Sequence, residues 1–168
     1  VLRGLFGKVV RATTTKEQMD KGRLAELSID FARLRYSDLD CKIVKPLKYA
    51  EEIQWLICNK QRNQFIVDEA MNTDKNVLVL FNFIEKHGDV LIKMAHEHAR
   101  AAGKQIHYIH GEIDVQERER VRALVEQHDN IVIFASYGTF SMGINMKNLH
   151  KVIFAHPFKG RIRNLQTI

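Results

Sequence analysis

The chain has 168 residues, 45% of them apolar, which suits one domain with a buried core and excludes a disordered segment. Its formal charge of +6 favours an anionic partner such as nucleic acid, though a merely basic surface has the same composition. No apolar run approaches the roughly 20 residues of a membrane span. The first residues carry no secretory signal, and Cys41 and Cys58 show neither zinc nor disulfide-framework spacing, so a reducing, cytoplasmic setting is expected. The start at Val1 and the absence of a helix stop signal in residues 164–168 read as a piece of a longer protein.

In chain order, residues 1–23 open apolar at Leu5, Phe6, Val9 and Val10. Thr15 with Gln18 then reads as a capping box, starting a short helix that Gly22 ends. In residues 24–36, Leu27, Ile29 and Phe31 alternate with Ser28 and Asp30, the period of a strand. Residues 37–48 read as a polar connection containing Pro46. A helix follows with Ile53, Leu56 and Ile57 on one face, and continues through Phe65, Ile66 and Ala70 after a break near Asn63.

The remainder is regular. Residues 77–81 are a continuous apolar run, the mark of a strand buried on both faces. Residues 84–102 predict a helix with the stripe Ile84, Leu91, Met94, Ala95, His98 and Ala102, ending at Gly103. Residues 105–109 predict a strand, and 114–128 a helix, apolar at Val121, Leu124 and Val125. Residues 131–135 and 151–155 predict two more strands. This alternation implies right-handed parallel units in an α/β sandwich, whose ligands bind beyond the carboxyl ends of the strands. Those ends carry Asn82, His110-Gly111 and residues 136–145. In the last segment Gly138, Ser141 and Gly143 let backbone amides approach a phosphate or ribose. The alternative is an ordinary turn that needs small residues for packing.

Several of these segments together resemble the second RecA-like lobe of superfamily 2 helicases, in the form found in phage recombination and fork-remodelling enzymes. Residues 77–83 (Val-Leu-Val-Leu-Phe-Asn-Phe) look like motif IV. His110-Gly111-Glu112 with Glu117-Arg118 resembles the segment that follows it. Residues 135–149 look like motif V, and Leu165-Gln166-Thr167-Ile168 like the first half of motif VI, which in the family continues into arginines. The resemblance implies a three-layer α/β fold of the P-loop NTPase type, with a mainly parallel sheet flanked by helices. It implies residues 1–33 as the exit from a missing first lobe and 34–168 as the C-terminal lobe, truncated within motif VI. The parent protein would be an ATP-dependent DNA helicase that remodels branched recombination or replication intermediates, holding ATP and Mg²⁺ between its lobes. By the same resemblance Gly143, Asn145 and Gln166 face the nucleotide. Asn82, Gly111, Arg118, Ser136 and Gly138 face the DNA backbone, which supplies affinity without reading sequence. Arg161 and Arg163 join them on composition.

This piece alone is expected to bind no ATP or Mg²⁺ and to be inactive. Gly4-Leu5-Phe6-Gly7-Lys8-Val9 lacks the spacing and the Ser/Thr of a phosphate-binding loop. Asp68-Glu69 reads as a solvated helix face. His96 and His98, two apart on a helix, cannot chelate together, and no metal site is expected. Trp55 and Tyr49 read as packing residues, with base stacking the other option. Arg118 lies in Glu117-Arg118-Glu119-Arg120, where helical ion pairing is the competing role. A non-catalytic α/β nucleic-acid-binding or interaction module is the alternative to a motor lobe. A dinucleotide enzyme is disfavoured, because no GxGxxG follows a strand.

Overall fold

The structure, a computed structural model, describes residues 13–23, 28–111, 114–140 and 146–157. The chain divides into two compact units, Val1–Arg35 and Tyr36–Ile168. In the first unit, helix α1 (Thr15–Asp20) is capped by Thr14. Thr14 Oγ1 accepts the Glu17 amide at 3.2 Å, and the Glu17 carboxylate accepts the Thr14 amide at 3.0 Å. The capping box therefore sits one residue earlier than Thr15 and Gln18 suggest, because a carboxylate also favours the positive end of the helix. Gly22 follows the helix at φ +65°, the left-handed conformation that ends it. The strand expected over 24–36 does not form in its described part, residues 28–36. Ile29 and Phe31 are 57% and 91% exposed. Alternation makes a strand only where a neighbouring ladder takes up the backbone groups, and among the described residues none pairs here.

The second unit opens with α2 (Asp38–Val44), in place of the expected polar connection. Ser37 caps it, its Oγ accepting the Asp40 amide at 3.1 Å. Helices α3 (Tyr49–Cys58) and α4 (Lys60–Met71) break at Asn59, not near Asn63. Asn59 accepts the Arg62 amide as the cap of α4, while Asn63 is buried within α4 and donates to the Ile57 carbonyl at 2.7 Å.

Four strands follow: β1 (Val77–Phe81), β2 (Gln105–Ile109), β3 (Ile131–Ser136) and β4 (Lys151–Phe154). They pair in parallel in the order β2-β3-β1-β4. Between β1 and β2, a π-helical turn (Ile84–Gly88) leads into α5 (Asp89–Glu97). The helix expected over 84–102 thus starts as a wider turn and stops five residues early. His98 is extended, its Nδ1 accepts the Arg100 amide at 3.1 Å, and a 3₁₀ turn (Ala101–Gly103) closes the segment. Helix α6 (Val115–Gln127) joins β2 to β3, and a single turn, α7 (Tyr137–Phe140), follows β3.

The central strands are buried throughout. On one face Val79, Phe81, Val132 and Phe134 pack with Val67 and Met71 of α4 and Leu91 of α5. On the other, Leu78, Leu80, Ile131 and Ile133 pack with Val121 and Val125 of α6. Each such side chain contributes roughly 1.5–3 kcal/mol. The result is the α/β sandwich that the alternation of elements predicts, with helices on both faces of a parallel sheet.

Candidate nucleic-acid interface

Parallel pairing sends the carboxyl ends of all four strands to one edge. Phe81 is level with Ser136, Ile109 with Ala135, and Phe154 with Leu80. The connection leaving β1 passes β3 to reach β2, and the one leaving β3 passes β1 to reach β4. The two crossovers run in opposite directions across the sheet, and for an open α/β sheet this puts the expected ligand crevice at the ends of β1 and β3.

Asn82 stands at this crevice, exposed, directly after β1. Across from it Ser136 is buried at the end of β3, its Oγ 2.7 Å from Thr139 Oγ1. Gly138 is exposed on α7, and a Cβ added there would meet nothing within 4 Å. The same holds for Gly111 after β2. Packing against the described residues therefore does not explain either glycine. What remains is open backbone on the strand-end edge.

Arg118 lies in the first turns of α6. Its neighbours pair without it: Arg120 with Glu117 at 3.5 Å, and Arg122 with Glu119 at 2.9 Å. Among the described residues Arg118 has no ion pair, and its Nε is buried without a hydrogen-bond partner. Helical pairing does not account for it. His107 is half-buried on β2, and burial holds its ring below the ordinary histidine value. His110 packs on Tyr108, ring centroids 5.1 Å apart. Gly143, Asn145, Arg161, Arg163 and Gln166 lie outside the described residues, as do Gly4 to Val9.

Sequence reasoning missed a second group, at the ends of β1 and β4. Arg62 of α4 donates from Nη2 to the Ala155 carbonyl at 2.6 Å. Burial lowers its pKa, and its Nη1 has no partner among the described residues. His87, inside the π-helical turn, is fully buried and 3.2 Å from Asn63 Oδ1. Since Asn63 spends its amino group on Ile57, its oxygen accepts from His87 Nε2–H. Burial, then the nearby Arg62 and His156, push His87 down to about 3. His156 could have been singled out as a residue just past a strand's carboxyl end; Arg62 and Asn63 look like ordinary helix surface.

Asp68 and Glu69 lie on α4 as the sequence suggests, engaged by His98 at 3.3 Å and Lys151 at 2.6 Å. Trp55 packs edge-on against Tyr36, centroids 5.1 Å apart.

The family model of the helicase conserved C-terminal domain matches residues 60–168, well over half of the chain. The chain belongs to this helicase family. Over 168 residues it is 35% identical to the ATP-dependent DNA helicase uvsW of Enterobacteria phage T4, covering 98% of this chain and 32% of that protein. It thus spans about a third of the relative's length. The crystal structure of T4 UvsW superposes with a TM-score of 0.69 at 32% identity, covering 79% of this chain and 27% of that one. The helicase match begins at the first residue of α4, so β1 to β4 and the strand-end edge fall inside it, and α1 to α3 precede it.

Proposed function

We propose that this chain is the C-terminal motor lobe of an ATP-dependent DNA helicase or translocase acting on branched recombination or replication intermediates. The observation that carries the reading is a helicase-family parallel sheet whose register brings Asn82, Ser136 and Gly138 to the neighbouring carboxyl ends of β1 and β3. Its identity to a protein named as an ATP-dependent DNA helicase runs along nearly the whole chain. In this reading Asn82, Gly111, Arg118, Ser136, Gly138, Arg161 and Arg163 hold successive phosphates of one strand. Gly143, Asn145 and Gln166 face the nucleotide, and residues 1–33 lead in from the first lobe. The setting is the cytoplasm of the host cell. No described helix is long and apolar enough to cross a membrane.

ATP with Mg²⁺ supplies the free energy for movement when both lobes are present. Among the described residues no three His, Cys, Asp or Glu side chains gather as a metal site. The chain's own work is on the DNA backbone: a neutral amide at Asn82 and open amides at Gly111 and Gly138 bind phosphate, and Arg118 adds charge.

Two assays test this. The purified chain should bind single-stranded DNA with similar affinity across sequences and show no DNA-stimulated ATP turnover, which should appear when a phosphate-loop lobe is joined to it. Turnover by the chain alone would sink the partial-motor reading. No turnover from the joined protein, with DNA affinity indifferent to nucleotide, would make it a binding module.

A further inference from the structure

A cleft of about 260 Å³ lies beside the crevice, lined by Tyr49, Ala50, Ile53, Gln54, Phe83 and His156. The first turns of α3 form one wall. Phe83, which directly follows Asn82, and His156, just past β4, form the other. The volume is below the range typical of drug-sized ligands and suits a single flat ring system. Its walls are aromatic: Phe83 and His156 meet edge to face with centroids 5.4 Å apart, and Tyr49 is 47% exposed. Gln54 adds a primary amide, which both donates and accepts, as a heterocycle's edge requires.

The surrounding charge favours an anionic chain. The Arg62 guanidinium is fixed on the Ala155 carbonyl next to His156, and Lys48 immediately precedes Tyr49. Two acids, Glu51 and Glu52, lie in the first turn of α3, and Glu51 is engaged there by the Lys48 amide at 2.8 Å. Burial, with Arg62 nearby, keeps the His156 ring below the ordinary histidine value, so it presents a neutral face. The α3 wall precedes the stretch matched by the helicase family model, so the cleft combines family and non-family residues.

We propose that this cleft receives one base of the single-stranded DNA whose backbone passes Asn82, stacked against Tyr49 and Phe83. The inference rests on the DNA-track reading above and adds a base contact to it. Asn82 and Phe83 are adjacent residues, about 3.8 Å apart at Cα, and a base is joined to its phosphate through a single sugar. A phosphate at Asn82 therefore leaves its base within reach of the cleft.

The test compares two strands of equal length and phosphate number, one of thymidines and one wholly abasic, by fluorescence anisotropy. The unaltered protein should bind the thymidine strand about tenfold more tightly, the worth of one stacked base. Tyr49→Leu and Phe83→Leu, which keep apolar bulk and remove the ring, should bring the two affinities together. A strand carrying 2-aminopurine should change fluorescence on binding the unaltered protein and not the variants. Equal affinity of the unaltered protein for both strands would overturn the base cleft and leave the backbone track standing. Discrimination retained in both leucine variants would also overturn it, placing any stacking elsewhere. Failure to bind either strand would sink the DNA track and the cleft together.

Discussion

Replacing Asn76 by alanine would remove a hydrogen bond from four backbone groups at once. The buried Asn76 amide donates to the carbonyls of Val125, His128 and Asn148, and its oxygen accepts the Ile131 amide at 3.0 Å. One side chain thus ties the end of α6, the start of β3 and the approach to β4. Asn76→Ala should cost about 2 kcal/mol, because the Ile131 amide and the Asn148 carbonyl lose their side-chain partner, while Asn148 Nδ2 still reaches the Val125 and His128 carbonyls. A urea midpoint unchanged from the parent would contradict this. His87 yields a pH prediction. Its ordinary value of 6.5 applies in the unfolded chain, against about 3 in the fold. Below 6.5 the unfolded chain binds a proton that the fold refuses. Stability should therefore fall as pH drops from 6.5 toward 3, by up to about 1.4 kcal/mol per unit from this group. His107 and His156 are lowered too and act with the same sign. Urea midpoints across this range should fall less steeply in His87→Gln than in the parent; equal slopes would remove His87 as a cause. Nothing in the sequence marks Asn76 or His87, since neither lies on a motif and their partners are up to 72 residues away.

The π-helical turn that carries His87 ends at Gly88, and here the element depends on a missing side chain. A Cβ at Gly88 would lie 2.5 Å from Tyr108 Oη and 2.6 Å from Phe81 Cε2. Those rings are themselves packed together at 5.6 Å, and the Tyr108 hydroxyl donates to Asp89 at 2.7 Å. Gly88→Ala should therefore destabilise by about 1–3 kcal/mol, as overpacking of a filled core does. A thermal midpoint equal to the parent's would show that the turn can shift at no cost. Elements were legible where burial imprinted a pattern. The runs at 77–81 and 131–136 are apolar at nearly every position because helices cover both faces. Helix α2 has no buried residue, and Leu39 and Ile43 remain exposed, so no apolar stripe announced it. Ser37 ahead of Asp40 was the one local signal available. Residues 28–36 show the converse, a period of two without a partner strand.

At the scale of the molecule, parallel pairing gathers the strand-end residues, so strand boundaries alone place Asn82, Gly111, Ser136 and Gly138 on one edge, while their proposed role comes from the family resemblance. The aromatic cleft could not be placed this way, because its six residues come from α3, the loop after β1 and the segment after β4. A backbone-directed interface has a consequence for salt. Arg161→Ala with Arg163→Ala should weaken binding about equally for all sequences and flatten the dependence of affinity on salt, since fewer counterions are released. An unchanged slope in the double variant would take both arginines off the track. The strand order also bears on how the chain acquires its fold. β1 is made early yet lies between β3 and β4, with Val77 level with both Val132 and Lys151. During synthesis its five apolar residues have no neighbouring strand until more than fifty residues later, and its second edge stays open until β4 emerges. Such long-range pairing slows folding and leaves an unpaired apolar edge. A nascent or shortened chain that ends before β4 would therefore carry β1 as an open, aggregation-prone edge, and β4 is the strand that covers it.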